Sequence, residues 1–364
     1  MNKYKFSVPM PYLKHEIDQL VQLNEKLEKS KITNLYFNLP TTCDIATAFE
    51  QNRNYAVSRT DFAYWKNLMS YSIEKGFDFV YLFNSPRRLD IENPNFPKEL
   101  EKLDKLLAEL KSIGVKKLRI SDAKLLTYLS EHYGYFELYA STSFEYKTIK
   151  EYQNFIEMHP NVKQIVPSHD LNKNFKLLKN LRECYPDLDI EILLNEGCMG
   201  GCPHRTEHAR EVKLFPEITL NNDNALSNFY CPKHCQALSG KAPLLYICKS
   251  NHINPWEVEE YGKIGINSFK LVGRERHHSN QNHIKRYEIY LLGVDDIENI
   301  LDVPYRDLLY HYDEYELNLT VREIKDYLPQ ISYFKENVHL CASECGVECF
   351  YCNKCAEKIK GLLK

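Results

Sequence analysis

The chain has 364 residues, enough for one large domain or two ordinary ones, and its 43% hydrophobic and 27% charged content excludes wholesale disorder. Its formal net charge is −3 and no long run of one sign appears, which argues against a strongly basic nucleic-acid footprint. No apolar run approaches the roughly 18 residues needed to span a bilayer, so no membrane partner is expected.

In chain order, the N-terminus MNKYKFSVPMPY has no apolar signal segment before its prolines, which predicts a cytoplasmic protein. Tyr12–Lys29 then shows a helical stripe of Leu13, Ile17, Leu20, Val21 and Leu27. Strands are expected at Ile32–Asn38, Phe77–Phe83, Lys117–Ile120, Tyr135–Ala140, Val162–Val166, Ile190–Leu194, Leu244–Cys248 and Ser268–Val272. Several are apolar almost throughout, as strands covered on both faces of a parallel sheet tend to be. Helices are expected between them at Thr60–Lys75, Pro97–Ile113, Asp122–His132, Tyr146–His159, Asn172–Tyr185 and Pro255–Ile264, and after the last strand at His283–Leu292.

Strands alternating with helices predict an α/β fold, a (β/α)8 TIM-like barrel that need not close perfectly. The barrel would occupy residues 1–295, with an insertion at about 210–242 longer than an ordinary connection. Residues 296–364 would form a helical extension, including Val321–Tyr327, that ends in a Cys-rich tail docked on the barrel. Chemistry in such barrels sits at the C-terminal ends of the strands. That rule gathers at one mouth the segments 40–43, 84–87 and 195–198, together with Lys270, Gly273 and Arg274.

Twelve cysteines are many for a reducing compartment, where structural disulfides are uncommon, and nine of them fall into two dense groups. In the first, Cys198 and Cys202 form one CxxxC pair and Cys231 and Cys235 another, together enough for a tetrahedral zinc or an iron–sulfur cluster. Gly200 and Gly201 allow backbone N–H groups close to sulfur, and the group begins at a barrel strand's C-terminal end. Both features favour a cluster over a zinc that merely staples the insertion. The second group is Cys341, Cys345, Cys349, Cys352 and Cys355, of which a metal site would use four. Such a site equally suits a metal that only folds the tail. Its CxxxCxxC spacing matches radical adenosylmethionine enzymes, but it lies in the tail and not after an early barrel strand. Cys43 and Cys248 are within reach of the mouth, and Cys184 reads as a core residue on a helix.

Beside the first group, His208 is the candidate for acid–base duty and Arg205 for anion contact. Glu196 would orient a ligand or accept a proton, or else cap a helix. His204-Arg-Thr-Glu-His208 spells the H-x-x-E-H of some zinc peptidases, a five-residue pattern that chance often produces. His277, His278 and His283 read as a solvated loop.

Two blocks look familiar. Asn195–His208, NEGCMGGCPHRTEH, and Gly265–Arg274, GINSFKLVGR, resemble the collagenase-like peptidases of family U32, as an outlying branch. That family typically shows Gly-Val-Asp-Ser-Phe-Lys-Ile-Glu-Gly-Arg late in the barrel, and Val272 stands where its Glu would be. Better-understood relatives are iron–sulfur proteins of oxygen-independent hydroxylation. The resemblance therefore implies a four-iron cluster on Cys198, Cys202, Cys231 and Cys235, while a second cluster or zinc in the tail is expected from the density of its thiols. It also implies that Lys270 and Arg274 face the same cavity and bind an anionic substrate or oxygen donor. The expected function is an iron–sulfur enzyme modifying a small molecule or modified polymer, served by an electron-donor protein. The alternatives are a metal-dependent peptidase and a zinc-stabilised protein that binds RNA or peptide.

Overall fold

The computed structural model describes residues 3–38, 62–84, 96–196, 250–272, 283–308 and 319–327. The expected insertion at 210–242, the strand at Leu244–Cys248 and the Cys-rich tail lie outside the described residues, as do Cys43, Arg205, His208, Arg274 and every cysteine of the two dense groups. Elements are numbered over the described residues.

Eight parallel strands run β1 Tyr4–Pro9, β2 Ser30–Phe37, β3 Asp78–Phe83, β4 Lys117–Ile120, β5 Glu137–Ala140, β6 Val162–Ile165, β7 Asp189–Leu193 and β8 Ser268–Lys270. They close into a barrel in sequence order. The helices are α1 Lys14–Lys26, α2 Phe62–Glu74, α3 Phe96–Ser112, α4 Ala123–His132, α5 Ile149–Met158, α6 Phe175–Cys184, α7 Val258–Lys263, α8 His283–Asp295 and α9 Val321–Tyr327. The (β/α)8 expectation holds, and the closure is complete. No described helix is long and apolar enough to cross a membrane.

Closure depends on a strand the sequence reading passed over. Tyr4–Pro9 pairs with β2 on one side and β8 on the other, with Ser7 opposite both Asn34 and Lys270. Lys3, Lys5 and two nearby prolines mask it in the sequence. Pro9 is tolerated because it is the strand's last residue. With β7 pairing β8 directly, Ile192 opposite Phe269, the barrel is complete without Leu244–Cys248.

The helices form for local reasons. In α3, Leu103, Leu106, Leu107 and Leu110 make a single buried stripe at helical spacing. Asp122 caps α4 by accepting from Leu125 N, and Thr148 with Glu151 forms a capping box on α5. Gly76 and Gly114 adopt φ of 89° and 88° after α2 and α3, the left-handed turn that sends the chain into the next strand.

The barrel wall separates two interiors. Residues of one parity, such as Leu35, Phe37, Phe79, Tyr81, Ile190 and Ile192, face the helices and form the main core. Those of the other parity face the lumen, where Tyr36, Val80, Leu82 and Tyr139 make a small separate apolar cluster.

Two expectations about single residues fail. Cys184 is exposed, not buried in the core: it is the last residue of α6, and the buried stripe of Leu178 and Leu181 stops a turn before it. His283 is buried at the start of α8 and does not sit in a solvated loop.

Candidate functional site

The C-terminal ends of β7 and β8 adjoin. Leu193 pairs with Lys270, and Leu194 N donates to Lys270 O at 2.9 Å, the last backbone rung of this ladder. Beyond it the Leu194 carbonyl turns to Ile253 N, at 2.8 Å. Asn195 then reaches across: its Nδ2 donates to Val272 O at 2.9 Å, and Val272 N donates to its Oδ1 at 2.6 Å. The β7 and β8 chains are therefore still joined at Asn195 and Val272, next to the ends of the described segments.

Glu196 and Lys270, the two predicted site residues within the described chain, both lie at this rim and are each 9% exposed. The Lys270 ammonium sits 4.1 Å from the centroid of the Tyr36 ring, a cation–π placement. Tyr36 is held in turn by its hydroxyl, which donates to Leu271 O at 2.6 Å. A cation at the last residue of β8, resting on an aromatic floor, is suited to meet an anionic group entering from above.

Below the rim the lumen is polar, unlike the branched aliphatic layers usual in such barrels. Arg119 Nη2 approaches Glu191 Oε2 to 2.7 Å, a close ion contact out of hydrogen-bond line. Glu191 Oε1 accepts from Ser7 Oγ at 2.5 Å, and Ser7 Oγ accepts from Asn34 Nδ2 at 3.0 Å. Lys117 Nζ continues the chain to Asn34 Oδ1 at 3.1 Å and to Asp78 Oδ2 at 2.6 Å. On the other side Arg119 donates to Gln164, which donates to Asp189 Oδ2 at 2.6 Å. Burial, helped by the negative charge of Glu137, pushes the Tyr139 hydroxyl well above its ordinary range, so it remains a neutral donor to Glu137 Oε2 at 3.1 Å.

A second buried polar group flanks the mouth after β6. His169 Nε2 lies 3.2 Å from Asp170 Oδ1, and Lys147 Nζ lies 3.4 Å from the other carboxylate oxygen. Asn172 Nδ2 donates to Leu193 O at 2.5 Å and to Asn251 O at 3.3 Å, which ties this turn to the end of β7. Arg119, Glu191, His169 and the bridging role of Asn195 were not among the expected site features. A strand-end rule applied to β6 would have found His169, and a charge inside an apolar strand run marks Glu191 and Arg119. Among the described residues no group of three or more His, Cys, Asp or Glu is arranged to hold a metal ion.

Comparison with known proteins places residues 62–199 in a match to peptidase family U32. That span takes in Asn195, Glu196 and Cys198 but ends before the Gly265–Arg274 block. The chain is 24% identical over 348 residues to the uncharacterized protease MJ1657 of Methanocaldococcus jannaschii, covering 94% of this chain and 93% of that protein. Among solved structures, the U32 peptidase Mk0906 is 13% identical with a TM-score of 0.44, covering 75% of this chain and 93% of that one. N-acetylneuraminate lyase from Fusobacterium nucleatum is 12% identical with a TM-score of 0.37, covering 99% of this chain and 97% of that one.

Proposed function

Starting from the chain's kinship with peptidase family U32, we propose that it is an iron–sulfur enzyme carrying out an oxygen-independent, hydroxylation-type modification of a small molecule or modified polymer. The observation that carries this reading is the β7–β8 junction, where Asn195 bridges to Val272 beside Lys270 at the barrel end where this fold does its chemistry. In sequence, Cys198 follows Asn195 by three residues and Arg274 follows Val272 by two.

The donor set suits a cluster. Cys198, Cys202, Cys231 and Cys235 would hold it, and four of Cys341, Cys345, Cys349, Cys352 and Cys355 would hold a second one or a zinc. When bound, the cluster at the mouth supplies a Lewis acid or an electron relay to a partner donor protein. The chain's own residues do the rest. Lys270 and Arg274 bind and orient an anionic group, Arg205 adds a further anion contact, and Glu196 and His208 hold or move a proton. Tyr36, Val80, Leu82 and Tyr139 form a buried apolar cluster inside the barrel, and Tyr36 supports the Lys270 ammonium from beneath.

A metal-dependent peptidase is the second reading, favoured by the name of the Methanocaldococcus jannaschii relative and by His204-Arg-Thr-Glu-His208. One preparation separates the two. Protein purified without oxygen is expected to be brown, with broad visible absorption, iron and labile sulfide. Cys198→Ala and Cys235→Ala are each expected to remove the iron of the mouth. Colourless protein that contains zinc and cleaves peptides would establish the peptidase reading, and zinc without cleavage a zinc-stabilised binding protein. Full iron in both variants would overturn the ligand assignment.

A further inference from the structure

We infer that Asn195 is a positioning residue whose carboxamide replaces a missing rung of the β7–β8 ladder and so fixes against β8, beside Lys270, the end of β7 from which the sequence runs on to Cys198. This rests on the function proposed above and deepens it.

In a continued parallel ladder the Val272 N–H would donate to the Leu194 carbonyl, and the Val272 carbonyl would accept from the Glu196 N–H. The first exchange is diverted, because Leu194 O accepts from Ile253 N at 2.8 Å. Val272 instead sends both of its backbone groups to the Asn195 side chain, at 2.6 and 2.9 Å. A carboxamide is the one side-chain group that presents an acceptor and a donor in the plane and spacing of a peptide. Asp lacks the donor and sets a carboxylate against the Val272 carbonyl. Gln is a methylene longer, and Ser and Thr cannot bridge both atoms.

The substitution of side chain for backbone has a geometric consequence. With the Leu194 carbonyl turned toward Ile253, the β7 backbone leaves the backbone ladder at Asn195. The two carboxamide bonds nevertheless keep that point against β8. Asn195 is 7% exposed, so water cannot readily take over either bond. Glu196, the next residue, is thereby held at the rim, with Lys270 two residues before Val272.

The test compares wild-type protein with Asn195→Ala, Asn195→Asp and Asn195→Gln, all purified without oxygen. Iron and sulfide content, the electron paramagnetic resonance spectrum and reduction midpoint of the cluster, and amide hydrogen exchange are measured on each. In Asn195→Ala the Val272 amide is expected to exchange roughly tenfold faster, with Phe269 in the ladder unchanged. Residues 197–202 are expected to exchange faster as well. The cluster signal is expected to broaden and its midpoint to move, because cluster potential follows hydrogen bonding and exposure. Asn195→Asp, which keeps the acceptor, should retain more Val272 protection than Asn195→Ala while still shifting the midpoint, and it serves if the alanine variant does not fold. Unchanged spectrum and midpoint in both variants would overturn the inference, even with Val272 deprotected, since the side chain would then be structural only. Wild-type protein without iron and sulfide would overturn the proposed function instead. In that case faster exchange at 197–202 in Asn195→Ala would still support the positioning role, and unchanged exchange would overturn it.

Discussion

Arg119 on β4 and Glu191 on β7 meet inside the barrel with Nη2 and Oε2 2.7 Å apart and both side chains 1% exposed. Two charges so buried repay their desolvation only while both are present. Glu191→Leu alone strands the Arg119 guanidinium and the Ser7 hydroxyl, and Arg119→Met alone strands Glu191. Each single variant should lose about 3–5 kcal/mol in urea unfolding. The double variant Arg119→Met/Glu191→Leu should lose much less than the sum, because an apolar lumen of similar volume needs no partner. A strictly additive result would show that the pair is not coupled.

His252 is a second buried group with a measurable signature. Burial, with a smaller contribution from the positive charge of Lys173, lowers its pKa to about 3. Its folded pKa lies below the ordinary value of about 6.5, so below that pH the unfolded chain binds a proton the folded chain refuses. Stability from this residue is complete well above pH 6.5 and is lost as the pH falls toward 3. The loss by pH 5, relative to neutral or higher pH, is roughly 2 kcal/mol. His252→Phe should flatten that part of the stability–pH curve. A variant as acid-sensitive as the wild type would show that the ring titrates normally in the folded protein.

Lys270 divides binding from folding. Its ammonium rests 4.1 Å from the Tyr36 ring centroid at the rim, and the barrel ladder around it is made by backbone. If the chain is the iron–sulfur enzyme proposed above, Lys270→Met should keep the circular dichroism spectrum and the iron content, while turnover falls by about two to three orders of magnitude, the loss typical when a charge-stabilising donor is removed. Lys270→Arg should recover part of it. Loss of iron together with turnover would make Lys270 a support of the cluster loop.

Much of the barrel is legible from periodicity alone. Lys117–Ile120 and Val321–Tyr327 have the predicted ends, and the Leu103–Leu110 stripe of α3 announces its buried face. Tyr4–Pro9 is not legible, because a short strand with charges at one end and proline at the other lacks the apolar run that marks its neighbours. The polar lumen is half visible. Glu191 interrupts the apolar run DIEIL, and Arg119 sits inside KLRI, which signals that one face of each strand differs from the other. Their partners are not visible, since Ser7 and Glu191 are 184 residues apart in the chain.

Alternating patches of hydrophobicity determined that this polypeptide would wind into strands and helices, because that property belongs to local stretches of residues. Which strand seals the cylinder, which acid neutralises Arg119, and which side chain grips Val272 were decided only on folding. Those choices depend on distances through space between segments that share no neighbourhood along the chain, and on which buried polar groups find no water to satisfy them.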